Sequence, residues 1–245
     1  SLDAWCTLWE GTFWGLHQDT YPQWKYEIDG FVREILEQNE LFITEEQWQR
    51  LETWVDRLLE INSRINLISR KQTEVVWLHH ILHSVTPLIL INFPKNIELC
   101  DFGTGGGLPG IPLAILKPDW KVFLLDSRQK KMAAVKETTE SLGCVNLHFI
   151  EGRGEKVGLD PMYNRRFQWL TARAVSAIGN LEKWTRDLRQ KEATLIAFKG
   201  GNLKNKEVTP SQLPNVDRLV EHPIKLKGYS DFYIDEKKLV EIKFI

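Results

Sequence analysis

Cysteine is scarce: three in 245 residues, at Cys6, Cys100 and Cys144, an odd number with no C-x-x-C spacing. That excludes a disulfide framework or a zinc knuckle, and a reducing cytoplasmic compartment is expected. No apolar run reaches the ~18 residues that a membrane span needs. The longest, ILHSVTPLILINF over 81–93, is broken by His83, Pro87 and Asn92. The first residues lack a basic stretch followed by an apolar core, so no signal peptide is expected. Net charge is also nearly absent, at −1, but its distribution is uneven. Residues 1–94 carry 7 Lys/Arg against 14 Asp/Glu, and residues 95–245 carry 25 against 19. A basic half suits a polyanionic partner, although ordinary solvated surfaces give similar counts.

Aromatic residues crowd the first 26 positions: Trp5, Trp9, Phe13, Trp14, Tyr21, Trp24 and Tyr26. Such a stripe reads as packing surface rather than a base-stacking platform, and no role is assigned to it. From Thr44 the pattern is clearer. TEEQ places Thr44 and Gln47 as a capping box, and Trp48, Leu51, Val55, Leu58 and Leu59 follow at helical spacing. A second helix is expected over 72–91, broken near Pro87. Residues 27–94 therefore read as a helical cap.

Beyond residue 95 short apolar runs alternate with helical segments. IELCDFG, KVFLLDS, NLHFIEG, FQWLTARA and ATLIAFKG have the composition of buried parallel strands. Between the second and third lies a helix with Ser127 as expected cap, Met132, Val135 and Leu142 inside, and Gly143 at its end. RLVEHPIKL and KKLVEIKFI suit an antiparallel hairpin at one end of the sheet. The expected class is α/β over 95–245, a Rossmann-like sheet with helices on both faces.

Chemistry concentrates in LCDFGTGGGLPGIPL, residues 99–113. Gly105, Gly107 and Gly110 satisfy G-x-G-x-x-G, which alone is a weak dinucleotide signal. Asp101, two residues before Gly103, instead gives the acidic-x-G-x-G-x-G order of class I S-adenosylmethionine-dependent methyltransferases. Pro109 and Pro112 withdraw N–H groups that a pyrophosphate would need. A sulfonium cofactor has no phosphate; Asp101, Gly103, Thr104, Gly105 and Gly107 offer it a carboxylate and a close backbone. Asp126, ending the second strand, can accept both ribose hydroxyls, which suits any nucleoside cofactor. A cap for the next helix is its structural alternative.

With its two prolines, DFGTGGGLPGIPLAI closely resembles the signature of the RsmG family, also called glucose-inhibited division protein B. INLIS (65–69), HHILHS (79–84), LLDSRQKK (124–131), RGE (153–155), ARA (172–174), FKG (198–200) and KKLVEIK (237–243) follow in family order. The resemblance implies S-adenosylmethionine-dependent methylation of guanine N7 in small-subunit ribosomal RNA, with RNA or a ribosomal particle as partner. It implies cofactor contacts at Gly103, Leu108, Gly154, Glu155 and Arg173, with Asp126 at the ribose. It further implies RNA phosphate contacts at Lys130, Lys131, Lys199, Lys237 and Lys238. No catalytic side chain is assigned, because guanine N7 already presents a lone pair and needs no general base. The fourth strand ends in TARA, unlike the Asn-Pro-Pro-aromatic or Pro-Cys signatures of other nucleobase methyltransferases.

Two positions depart from the family pattern, each by loss of a carboxylate: His83 precedes Ser84 where Asp is usual, and Gln168 follows Phe167. His79, His80 and His83 share helical spacing, but HHILH lacks the Glu of H-E-x-x-H and a third ligand, so no metal is expected. Three other readings remain: a methyltransferase of small molecules, a cofactor- or RNA-binding homologue without catalysis, and an NAD(P)-dependent dehydrogenase.

Overall fold

Alternation within single strands shows how the sheet acquires two covered faces. In β2 (Lys121–Asp126), Val122 and Leu124 enter one apolar core while Phe123 and Leu125 enter another on the opposite side. Successive side chains of a strand point to opposite faces, so a run that is apolar throughout needs helices on both. The computed structural model describes residues 21–69, 75–201, 213 and 215–245. The first twenty residues of the aromatic stretch lie outside this set.

Around β2 the sheet comprises β1 (Glu98–Phe102), β3 (Leu147–Glu151), β4 (Phe167–Arg173), β5 (Arg189–Gly200), β6 (Val216–Pro223) and β7 (Lys237–Phe244). The order is β3-β2-β1-β4-β5-β7-β6. The first five strands pair in parallel, and β7 lies antiparallel to both β5 and β6. The expected antiparallel pair thus sits at one end of the sheet. Because the chain leaves β1 first towards β2 and β3, then returns to β4 on the other side, a crevice opens at the carboxyl ends of β1 and β4.

One face carries α1 (Tyr21–Gln38), α2 (Glu45–Asn62), α5 (Gly110–Leu116) and α6 (Gln129–Thr139), and the other α7 (Gly154–Val157) and α8 (Ile178–Thr185). Thr44 caps α2 as expected: its hydroxyl accepts from Gln47 N at 3.2 Å and Gln47 Oε1 accepts from Thr44 N at 3.1 Å. Gln47 also donates to the Leu116 carbonyl at the end of α5, 3.0 Å away. Leu51, Trp54, Leu58 and Ile61 are fully buried against the same core as the sheet. Truncating any of these to alanine costs about 3 kcal/mol.

Over the expected helix 72–91, the described residues form three pieces. Trp77–Leu82 is a π-helical turn, followed by α3 (His83–Val85) and α4 (Pro87–Leu90). The break falls at Pro87, which has no N–H for the His83 carbonyl. Thr86 Oγ1 donates to that carbonyl instead, at 2.8 Å.

The expected Ser127 cap of α6 is not formed. Arg128 occupies the cap position without a side-chain bond, and its N–H donates to Asp126 Oδ1 at 2.9 Å. The Asp126 carboxylate bonds the N–H of the cap residue itself, so no side chain caps α6. The helix ends at Thr139, so Leu142 is buried beyond it and Gly143, at φ +60°, belongs to the following turn. A last short helix, α9 (Asp231–Ile234), links β6 to β7.

Candidate functional site

Asp101 is the buried post on which the glycine loop stands. It is 0% exposed. Its Oδ2 accepts from Thr104 Oγ1 at 2.6 Å and from Gly110 N at 2.9 Å, binding both ends of the loop. Its Oδ1 accepts from Thr171 Oγ1 on β4 at 2.9 Å, since Asp101 and Thr171 are register partners. Burial raises the Asp101 pKa to about 6, although the bonds from Thr104, Gly110 and Thr171 pull it down. These contacts are all internal, so the carboxylate shapes the loop from beneath.

Space dictates glycine at Gly110, where an added Cβ would stand 2.8 Å from Asp101 Oδ2. Conformation dictates it at Gly105 and Gly107, with φ of +59° and +89°. The INLIS segment lies against this loop: Asn62 Oδ1 accepts from Leu67 N and Ile68 N at 2.8 and 2.9 Å, and a Cβ on Gly106 would meet the Leu67 carbonyl oxygen at 2.9 Å. A Cβ on Gly107 would meet Trp54 Cζ2 at 3.5 Å, and the Trp54 indole N–H donates to Thr138 Oγ1 at 3.0 Å.

Asp126 ends β2 beside the loop crest and is 3% exposed. Its Oδ2 accepts from Gly105 N at 3.0 Å. The Arg128 side chain folds back over it, Nε to Oδ1 at 3.1 Å and Nη2 to Oδ2 at 3.2 Å. Burial alone would raise the carboxyl pKa, but Arg128 and the backbone N–H donors outweigh it, and the group is held below its ordinary range. A Cβ on Gly105 would meet nothing nearer than the Gly103 carbonyl at 3.8 Å and Arg128 Nη2 at 4.0 Å. A side chain at this point of the crest would make only ordinary van der Waals contacts, with the Gly103 carbonyl and the Arg128 guanidinium.

Arg173, at the end of β4, reaches the π-helical turn. It donates to the His79 and His80 carbonyls at 2.9 and 3.2 Å, to Ser84 Oγ at 2.9 Å, and to His80 Nδ1 at 2.8 Å. All four acceptors are neutral, and burial lowers the Arg173 pKa to about 10 against the pull of Asp101. Accepting from Arg173 fixes His80 as the Nε2–H tautomer. Burial and the nearby Arg173 charge depress its pKa to about 3, and burial also pushes His83 well down. His83 packs edge-on to Phe198 and tilted against Phe232. Among the described residues no three His, Cys, Asp or Glu side chains are grouped to hold a metal.

Next to Arg173 lies a cavity of about 750 Å³, lined by His79, His83, Phe198, Lys199, Asp235 and Lys237 among others. Lys199 donates to the Ser176 carbonyl and Lys237 pairs with Asp235 at 3.2 Å. Lys238 does not line the cavity: it pairs with Glu221 at 2.9 Å. Lys130 and Lys131 stand apart from these, at the start of α6 near Asp126. Leu108 is buried, and Gly154 is required by packing, since a Cβ would stand 2.8 Å from Phe102 Cζ. Glu155 is exposed in the first turn of α7, and Gln168 is exposed at a bulge near the start of β4, far along the strand from Arg173. Sequence reasoning missed Arg128, Thr171 and Ser84. Only Thr171 left a signal, as the residue opposite Asp101 once β1 and β4 are paired.

A parallel sheet with an antiparallel β7 inserted beside β5, and a glycine loop after β1, defines a class I Rossmann-like methyltransferase fold. Solved structures agree: a predicted O-methyltransferase from Agrobacterium tumefaciens aligns with TM-score 0.51 at 14% identity, over 67% of this chain and 79% of that one. A methyltransferase from Geobacter sulfurreducens aligns with TM-score 0.50 at 13% identity, over 78% and 88%.

The family follows from sequence comparison. Residues 47–229 match the GidB model, rRNA small subunit methyltransferase G. Ribosomal RNA small subunit methyltransferase G of Phocaeicola vulgatus is 33% identical over 80% of this chain and 91% of its own length. The protein of the same name from Lactobacillus helveticus is 34% identical over 69% and 71%. The chain belongs to the rRNA small subunit methyltransferase G family.

Proposed function

We propose that this protein transfers a methyl group from S-adenosylmethionine to guanine N7 in small-subunit ribosomal RNA. The observation that carries the reading is the match to a family member along 91% of its length, coupled with a glycine-loop crest beside Asp126 where a Cβ would meet nothing nearer than 3.8 Å. Asp126 would accept the ribose hydroxyls, and the backbone of Gly103, Thr104, Gly105 and Gly107, roofed by Leu108, would lie along the cofactor. Gly154 and Glu155, following β3, would border the adenine. Arg173 would stand between the cofactor and the neighbouring cavity, which would receive the target base.

When bound, S-adenosylmethionine supplies an electrophilic methyl group. The chain's own work is orientation, because N7 needs no deprotonation and effective alignment alone can be worth several kcal/mol of barrier. The residues around the cavity agree: His80 and His83 are held neutral, and Arg173 is fixed by four hydrogen bonds. Lys199 and Lys237 on the cavity wall, with Lys130 and Lys131 across the crevice, would meet phosphates. Lys238 would join them on leaving Glu221.

The test is transfer of labelled methyl from S-adenosylmethionine to small ribosomal subunits and to their extracted RNA, with the product nucleoside identified. 7-Methylguanosine formed by the wild type and lost in Asp126→Ala supports the reading. Binding of S-adenosylhomocysteine without transfer to either RNA substrate would overturn it.

A further inference from the structure

The carboxylate of Asp126 is saturated. Two oxygens offer about four acceptor positions, and four donors fill them: Gly105 N, Arg128 N, Arg128 Nε and Arg128 Nη2. The two main-chain donors are fixed by the loop and by the start of α6. The two guanidinium donors are not, for the Arg128 side chain is 58% exposed while that of Asp126 is 4% exposed. Arg128 places one N–H on each carboxylate oxygen, the same one-donor-per-oxygen pattern that a ribose diol uses. A ribose on Asp126 and the guanidinium on Asp126 are therefore mutually exclusive.

A displaced guanidinium needs an anion. Ser127, Arg128, Gln129 and Lys130 are consecutive exposed residues between the end of β2 and the first turn of α6, with Lys131 half-buried after them. Lys131 has its pKa lowered by burial and then by the charge of Arg128, with Asp126 acting in the opposite sense. Once Asp126 is taken by a diol, three cations share one turn of chain. A phosphate oxygen pair matches a planar guanidinium fork better than any neutral group does.

We infer that Arg128 is a substrate-binding residue with two alternative partners, Asp126 before the cofactor ribose arrives and an RNA phosphate afterwards, so that cofactor binding tightens RNA binding. The inference rests on the function proposed above. It also implies the reciprocal, that RNA tightens cofactor binding by the same factor.

Titration of S-adenosylhomocysteine and anisotropy of a labelled small-subunit rRNA fragment, each over a salt series, test it on the wild type, Arg128→Ala and Arg128→Lys. Arg128→Ala should bind S-adenosylhomocysteine about 3-fold more tightly, the scale of a half-exposed ion pair. In the wild type, saturating S-adenosylhomocysteine should strengthen RNA binding and steepen its log–log salt slope by about 0.7–0.9, one added phosphate contact. Arg128→Ala should show neither change. Arg128→Lys, which keeps the charge without the fork, should bind S-adenosylhomocysteine more tightly and retain the steeper slope.

Unchanged or weakened S-adenosylhomocysteine binding in Arg128→Ala would overturn the competition at Asp126. RNA binding that ignores S-adenosylhomocysteine in the wild type would overturn the coupling while leaving the RNA reading intact. Absence of RNA binding in all three proteins, with S-adenosylhomocysteine still bound, would instead sink the RNA reading and the second partner of Arg128 with it.

Discussion

Replacing Asp101 by asparagine should make the protein gain stability relative to the wild type as pH rises, although it alters the most buried charge in the site. Gly110 N–H and Thr104 O–H both donate to Oδ2, and only the Thr171 hydroxyl donates to Oδ1. An asparagine with its carbonyl at the Oδ2 position keeps the first two bonds. Its amide then faces Thr171, whose hydroxyl can rotate and accept. The second amide N–H and the Thr171 O–H are left without an acceptor, a cost that does not vary with pH, while the cost of burying a negative charge disappears. The folded pKa of about 6 lies above the ordinary 3.8. The folded state thus holds the Asp101 proton more tightly than the unfolded chain does. That contribution is full below pH 3.8 and is lost as pH rises through 6, a total of about 3 kcal/mol. Urea unfolding of both proteins across pH 5–8 isolates this group, because other titrations cancel in the difference. The difference should move in favour of Asp101→Asn by about 1.5 kcal/mol between pH 5 and 8. Parallel curves, or a mutant that loses ground as pH rises, would refute the argument. Asp101→Ala has no acceptor for Gly110 N and should lose about 3 kcal/mol or more at any pH.

His80 runs the opposite way: its folded pKa of about 3 lies below 6.5, so its contribution is full above pH 6.5 and is lost as pH falls towards 3. Relative to His80→Gln, the wild type should lose about 2 kcal/mol between pH 7 and 5 in urea unfolding, and a constant difference would contradict this. Gly105→Ala makes only ordinary contacts but must hold φ +59°. It should fold with a loss of about 1 kcal/mol in thermal unfolding yet, on the proposed cofactor placement, bind S-adenosylhomocysteine at least about tenfold more weakly, since the methyl group would point into that path. Lys199→Gln with Lys237→Gln should weaken RNA binding and reduce its salt slope by about 1.5, with S-adenosylhomocysteine affinity unchanged; an unaltered slope would remove these lysines from the phosphate path.

Features governed by neighbours in sequence were legible; those set by folding contacts were less so. The strands announced themselves because a run such as KVFLLDS is apolar on both faces, and Thr44–Gln47 announced a cap because both bonds span three residues. Asp126 and the glycine loop were equally readable, each lying at a strand end. The π-helical turn at Trp77–Leu82 was not, since one widened turn leaves the apolar spacing almost unchanged. Neither was the His80–Arg173 bond, made across 93 positions, nor the failure of Ser127 to cap. There the helix starts one residue later, with Arg128 in the cap position. Arg128 shows the limit best: in sequence it is one more surface cation, and only its fold-back onto Asp126 gives it a task.

Trp54 carries a consequence for modularity. Its ring stands where a side chain on Gly107 would meet it and its N–H is tied to α6, while Gln47, earlier in the same helix, bonds the end of α5. The described residues before and after residue 95 thus share one hydrophobic core. A gene split at that point, or a transplant of the glycine-loop half onto another cap, would leave the loop without the surface that shapes it. Recombination among relatives should therefore succeed only when α2 and the loop are inherited together.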